Sequence, residues 1–289
     1  MQGHHTTHVE RGWHHQGDTA SPLRRRCAAF ATRLGAERRA GYRVPRRPRR
    51  RSGEPRPTLL LLGAPRLRHE GAILDLPLGR WTALLAYLAR GGGWVRRDAL
   101  AALFWPEHDD HGASLNLRQT LQTIVRSPAG IALEREPTRV RWSGGCDAES
   151  FDTLVREQAW ASVVRAYGGA FLDGLDVPDV PDVQEWIDAE RSGLHARWRT
   201  AALLEARAAL LEGRCLDALP LAERLYRTDV FDEEALRVLL EASVRCGDRT
   251  RAERTLDGAL RAFERELGVE PDPETMACAR ALGLAGGRA

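Results

Sequence analysis

The chain has 289 residues, 43% of them hydrophobic, and its 43 basic side chains against 40 acidic ones leave a formal charge of only +3. The length suffices for two domains that each bury a core, no apolar run reaches membrane-spanning length, and residues 1–20 lack the unbroken hydrophobic stretch of a signal peptide. A membrane span and a secretory leader are excluded on this reading, and a cytoplasmic protein is expected.

All 43 cations are arginine, which with abundant alanine, glycine and proline suggests a GC-rich bacterial genome. The five cysteines, Cys27, Cys146, Cys215, Cys246 and Cys278, are odd in number and never form a Cys-x-x-Cys pair, so neither a disulfide frame nor a zinc site is expected. Charge is spread unevenly. Residues 1–56 carry 14 arginines and 4 acidic residues, residues 57–145 carry 11 and 8, and residues 146–289 carry 18 and 28. A polyanion can meet the front of such a chain and is repelled by its rear.

In chain order, residues 1–56 show no sustained period and include Arg46-Arg47-Pro48-Arg49-Arg50-Arg51, so a disordered basic tail is expected. Two readings stay open: a tail that grips phosphates without reading sequence, or translated upstream DNA if the true start lies further in. Five histidines (His4, His5, His8, His14, His15) fall here without a scaffold to fix ligand geometry, and no metal is expected.

Residues 57–145 read as one domain. Leu59 to Leu62, Arg66-Leu67-Arg68 and Ile73-Leu74-Asp75-Leu76, separated by Gly63-Ala64-Pro65 and Glu70-Gly71, predict a small antiparallel sheet. Trp81, Leu84, Leu85 and Leu88 mark one side of a helix from about Gly79 to Arg90, closed by Gly91-Gly92-Gly93. Leu100, Leu103 and Phe104 mark a second helix, which Pro106 ends. In a third, near 113–126, Ala113, Leu117, Leu121 and Ile124 lie within about 80° of one another, and Arg118, Gln119, Gln122 and Arg126 project from the other side. Arginine and glutamine can pair bidentately with guanine and adenine edges in the major groove, although the pattern also fits a merely solvated face. Ile131 to Arg135, a turn at Glu136-Pro137-Thr138, and Arg139 to Trp142 then form a hairpin with Arg139 and Arg141 on one face. Sheet, three helices and a basic hairpin make a winged helix-turn-helix.

Residues 146–289 read as helical almost throughout, with Trp186, Leu194, Trp198, Leu203, Leu204, Leu210 and Leu211 as one apolar stripe. Shorter helices follow near 215–227, 231–246 and 250–267, with Gly213, Gly247 and Gly268 at their ends. The pitch of roughly 34 residues is that of tetratricopeptide repeats (TPR), stacked helical pairs that commonly bind peptides or proteins. The fold class expected is mainly α, a winged helix-turn-helix followed by a TPR-like helical domain.

The order of motifs resembles the Streptomyces antibiotic regulatory protein (SARP) family, bacterial activators that join a response-regulator-type winged helix to a bacterial transcriptional activator domain. The resemblance covers about residues 58–282. It rests on Leu-Leu-Gly at 61–63, Arg-Arg-Asp-Ala-Leu-Ala-Ala-Leu-Phe-Trp-Pro at 96–106, Asn-Leu-Arg-Gln at 116–119, Gly-Ala-Phe-Leu-Asp-Gly at 169–174, Glu-Trp-Ile-Asp-Ala-Glu-Arg at 185–191 and Glu-Leu-Gly-Val-Glu-Pro-Asp-Pro-Glu-Thr at 266–275. The chain departs from the family at Ser114, often arginine there, and over Gln122-Thr123-Ile124-Val125-Arg126, where members are richer in arginine.

The resemblance implies a DNA-binding transcriptional regulator at direct promoter repeats, often as tandem protomers, that recruits RNA polymerase and associates with the nucleoid. Arg118, Gln119 and Gln122 would read base edges; Arg126, Arg135, Arg139 and Arg141 would hold phosphates or reach the adjacent minor groove. Residues 106–112 would touch polymerase. The alternative is a TPR-type protein-interaction module whose winged helix no longer reads DNA. An enzyme is not expected, because no Gly-x-x-x-x-Gly-Lys-Ser/Thr, Gly-x-Ser-x-Gly or His-Glu-x-x-His motif occurs. His69, His108, His111 and His195 stand singly, the pairs Asp109-Asp110 and Glu233-Glu234 suit a loop and a helix start, and no cofactor is expected.

Overall fold

A computed structural model describes residues 56–284; the tail through residue 55, its histidines and Cys27 lie outside the described residues. Strand β1 (Thr58–Leu60) pairs antiparallel with β2 (Arg66–His69), and β2 with β3 (Ala72–Asp75), where short alternating runs separated by turn residues predict a sheet. Helix α1 (Arg80–Gly91) follows and ends at Gly92, which takes the left-handed conformation (φ 60°). A two-residue strand, β4 (Val95–Arg96), leads into α2 (Arg97–Phe104), which buries Leu100, Ala101 and Phe104.

The turn at Trp105 and Pro106 feeds α3 (Asp110–Arg126). This helix begins one turn earlier than its apolar period indicates, because the Asp109 carboxylate caps it, accepting the Gly112 amide at 2.8 Å. Its buried residues are Ala113, Leu117, Leu121 and Ile124, the four that share a side at helical spacing. A 3-10 turn (Pro128–Ile131) takes Ile131 out of the hairpin, which consists of β5 (Leu133–Arg135) and β6 (Arg139–Trp142). Strand β6 lies between β4 and β5 in a three-stranded sheet, the wing.

Strand β7 (Gly145–Cys146) returns to the first sheet and runs parallel to β1. After it come α4 (Asp147–Arg156), α5 (Trp160–Ala166), α6 (Pro181–Leu211), α7 (Cys215–Thr228), α8 (Glu233–Arg245) and α9 (Arg249–Ala262). A π-helical turn (Phe263–Leu267) and α10 (Pro273–Ala281) complete the described residues. Helix α6 packs on α7, α7 on α8 and α8 on α9, and left-handed Gly213 (φ 75°) and Gly247 (φ 82°) provide the reversals between them.

Two expectations need correction. Residues 167–180 are not helical: they are an irregular strap that buries Phe171, Leu172, Leu175, Val177 and Val180. Leu204 and Leu211 leave the apolar stripe, 41% and 83% exposed. Seven residues apart, both lie about 100° round the helix from Leu203, while Ala206, Ala209 and Leu210 take the buried side.

The division expected between residues 145 and 146 runs through one continuous core. Asp147, at the start of α4, accepts the backbone amides of Leu61 at 2.8 Å and Leu62 at 3.2 Å just beyond β1. The strap crosses the same edge: the Leu172 amide donates to the Leu61 carbonyl at 2.8 Å and the Gly63 amide to the Ala170 carbonyl at 2.9 Å. Arg90 of α1 grips Glu190 of α6 and Asp152 of α4, each at 2.7 Å. Burial works against that cation, yet the two carboxylates hold its pKa above the ordinary arginine value. The Trp186 ring stands edge-on to Tyr87 at 5.2 Å and to Phe171 at 5.7 Å, and Arg191 donates to the carbonyls of Phe171, Leu172 and Leu175. The motifs at 169–174 and 185–191 thus join the winged helix to the helical repeats.

Candidate nucleic-acid interface

Burying the apolar side of α3 against α1 and α2 turns its polar side outward, and Arg118, Gln119, Gln122 and Arg126 are all exposed. Arg118 and Arg126 have no carboxylate partner among the described residues. Leu115, 45% exposed, stands on the same face and is not among the residues expected there. Its signal was positional: it precedes Arg118 by one turn and Gln122 by two.

The wing divides its arginines between two faces. Across the strands Arg96 stands opposite Arg139 and Glu134 opposite Arg141, whereas Val95 and Arg135 both flank Val140. Directly opposed residues point to the same face of a sheet and successive residues to opposite faces. Arg96, Glu134, Arg139 and Arg141 therefore share the outer face, and Arg135 leaves on the face of buried Val140, toward the helices. The expectation that Arg139 and Arg141 share a face holds; Arg135 does not join them.

On the outer face both guanidinium groups lie against Trp94, each 4.7 Å from the ring centroid. Arg139 pairs with Glu136 at 2.6 Å, Arg141 with Glu134 at 2.6 Å, and Arg96 with Asp98. The hydrogen bond from Arg139 holds the Glu136 carboxyl below its ordinary pKa and raises that of Arg139 in return. Three cations and three anions make this face nearly neutral.

The inner face differs. Arg97, the first residue of α2, is fixed by its amide, which donates to the Thr138 carbonyl in the wing turn at 2.9 Å. Its Nε is buried without a hydrogen-bond partner among the described residues. Burial, then the nearby charges of Arg135 and Arg118, push its pKa below the ordinary arginine value. The sequence alone does not single out Arg97, because an adjacent Arg96-Arg97 pair gives no sign of which member faces the helices.

Between α2 and α3, Pro106 to His111 are exposed, and Glu107 is held by Arg80 at 2.6 Å. In the helical half, a cleft of about 450 Å³ is lined by His195, Trp198, Arg199, Phe231, Asp232 and Glu234, among others. Asp109 and Asp232 cap α3 and α8, with Glu233 and Glu234 in the first turn of α8, which explains the paired carboxylates as helix-start charges. No helix among the described residues is long and apolar enough to cross a membrane.

Residues 147–282 match the family model of the bacterial transcriptional activator domain. The chain carries that domain. The winged helix stands in front of it. Among solved structures it is similar to Mycobacterium tuberculosis EmbR, there in complex with a low-affinity phosphopeptide, with a TM-score of 0.58 and 21% identity. The match covers 82% of this chain and 67% of that one, and it shows the fold that the two share. Among curated proteins no match was found.

Proposed function

We propose that this chain is a SARP-like transcriptional regulator that binds promoter DNA through α3, laid in the major groove, and recruits RNA polymerase there. The observation that carries the reading is the bare face of α3, on which Arg118, Gln119, Gln122 and Arg126 are exposed without carboxylate partners among the described residues. Gln119 and Gln122 face base edges, where a good bidentate pair contributes about 1–3 kcal/mol of discrimination. Leu115 offers an apolar contact to a thymine methyl. Arg126 and Arg135 meet phosphates. Arg139 and Arg141 reach the backbone only by exchanging their carboxylate partners for phosphate. The segment at residues 106–112, the turn and the first residues of α3, faces polymerase, and tandem protomers occupy direct repeats about one helical turn apart. Selection of bound duplexes from a random pool, followed by sequencing, tests the reading: an enriched motif supports it.

A second reading, a protein-interaction module whose winged helix no longer reads DNA, is favoured by the neutral outer face of the wing. A selection that enriches nothing decides for it.

A further inference from the structure

Three arginines from three elements converge on the inner side of the wing. Arg135 is sent there by its register with Val140, Arg97 is held at the start of α2 by the bond from its amide to Thr138, and Arg118 projects from the middle of α3, close enough for its charge to bear on Arg97. Nearby, Arg96, Arg139 and Arg141 each have a carboxylate. These three have none among the described residues, and the Arg97 Nε is a buried donor that nothing among those residues accepts. Like charges held together without a counterion work against folding, so the arrangement favours a bound anion that several guanidinium groups can share. A phosphate group, with several acceptor oxygens and a full negative charge, meets that need better than a base edge does.

We infer that Arg97, Arg118 and Arg135 form one anion site whose ligand is a phosphodiester of the DNA backbone, a clamp that sets the depth and angle of α3 in the groove. The inference rests on the DNA-binding reading and deepens it, taking Arg118 from base reading to the backbone and adding Arg97 to the interface. Phosphate contacts fix register without carrying sequence information. The site therefore contributes alike to selected and unrelated DNA.

The test uses the full chain with two duplexes of equal length, one selected from a random pool by the native protein and one unrelated, titrated over a range of salt. Arg97→Gln and Arg135→Gln each weaken binding to both duplexes and flatten the plot of log affinity against log salt by up to about 0.9, the share of the one phosphate they hold in common. Arg97→Lys, which keeps the charge, keeps the slope. Circular dichroism confirms that each variant is folded; should Arg97→Gln not fold, Arg135→Gln at its exposed strand end provides the measurement. An unchanged slope, or a loss confined to the selected duplex, overturns the inference and leaves the DNA-binding reading standing. A native protein that binds neither duplex overturns both.

Discussion

Arg135 lies directly across the wing from Val140, so its side chain leaves the hairpin on the side of the core and opposite to Arg139 and Arg141. One residue of register thus separates a cation that faces α3, with no carboxylate partner among the described residues, from two cations already neutralised by their own carboxylates.

The neutralisation of the outer face is testable by removing its anions. Glu134→Gln and Glu136→Gln each free a guanidinium now held at 2.6 Å. Each substitution is expected to raise affinity for an unrelated duplex and to steepen the salt slope by up to about 0.9 in a fluorescence-anisotropy titration. Unaltered affinity and slope would show that phosphate never reaches that face.

Leu115 makes a prediction about the DNA rather than the protein. Replacing thymines of the selected duplex by uracil, one at a time, removes only the methyl group. One position is expected to lose several-fold in affinity with the native chain and little with Leu115→Ala, the pattern of a lost apolar contact. Equal losses in both proteins at every position would remove Leu115 from the interface.

The joint between winged helix and repeats makes the two unfold together. Phe171 is fully buried where the strap meets the sheet, and Phe171→Ala is expected to cost about 3–5 kcal/mol in urea denaturation. Arg90→Met leaves Glu190 and Asp152 facing a neutral side chain, at about 1–3 kcal/mol. Both variants are expected to keep a single transition. Two separate transitions in the native protein would contradict a shared core.

How far the sequence reveals this arrangement depends on the kind of signal involved. The apolar period of α3 names its four buried residues, because a long helix repeats its pattern over several turns. Strands β4 and β7 have two residues each and no pattern to repeat, although β4 completes the wing and β7 closes the first sheet. The alternation of Arg139 and Arg141 is visible, but the facing of Arg135 depends on which residue it opposes, and that is fixed by pairing across the turn. Arg97 is hidden for the same reason. Leu204 and Leu211 mislead because a helix of 31 residues offers more leucine than its neighbours cover.

His195 gives the helical half a predictable pH response. Burial, and then the charges of Arg199 and Arg224, hold its pKa below the ordinary value of 6.5. Below that value the unfolded chain takes up a proton that the folded chain refuses, so stability falls as pH drops through the window and is fully present above it. The melting temperature is expected to decline between about pH 7.5 and about pH 5.5, and less steeply for His195→Gln. Parallel curves for the two proteins would count against a suppressed His195 charge.

The central claim, that the bare face of α3 reads DNA sequence, is tested most directly by selecting duplexes from a random pool with the native chain and with a Gln119→Ala, Gln122→Ala double variant. The account predicts an enriched motif for the native chain, and for the variant retained duplex binding with that motif blurred at two or more positions. An identical motif from both proteins, or no enrichment by the native chain, would contradict it.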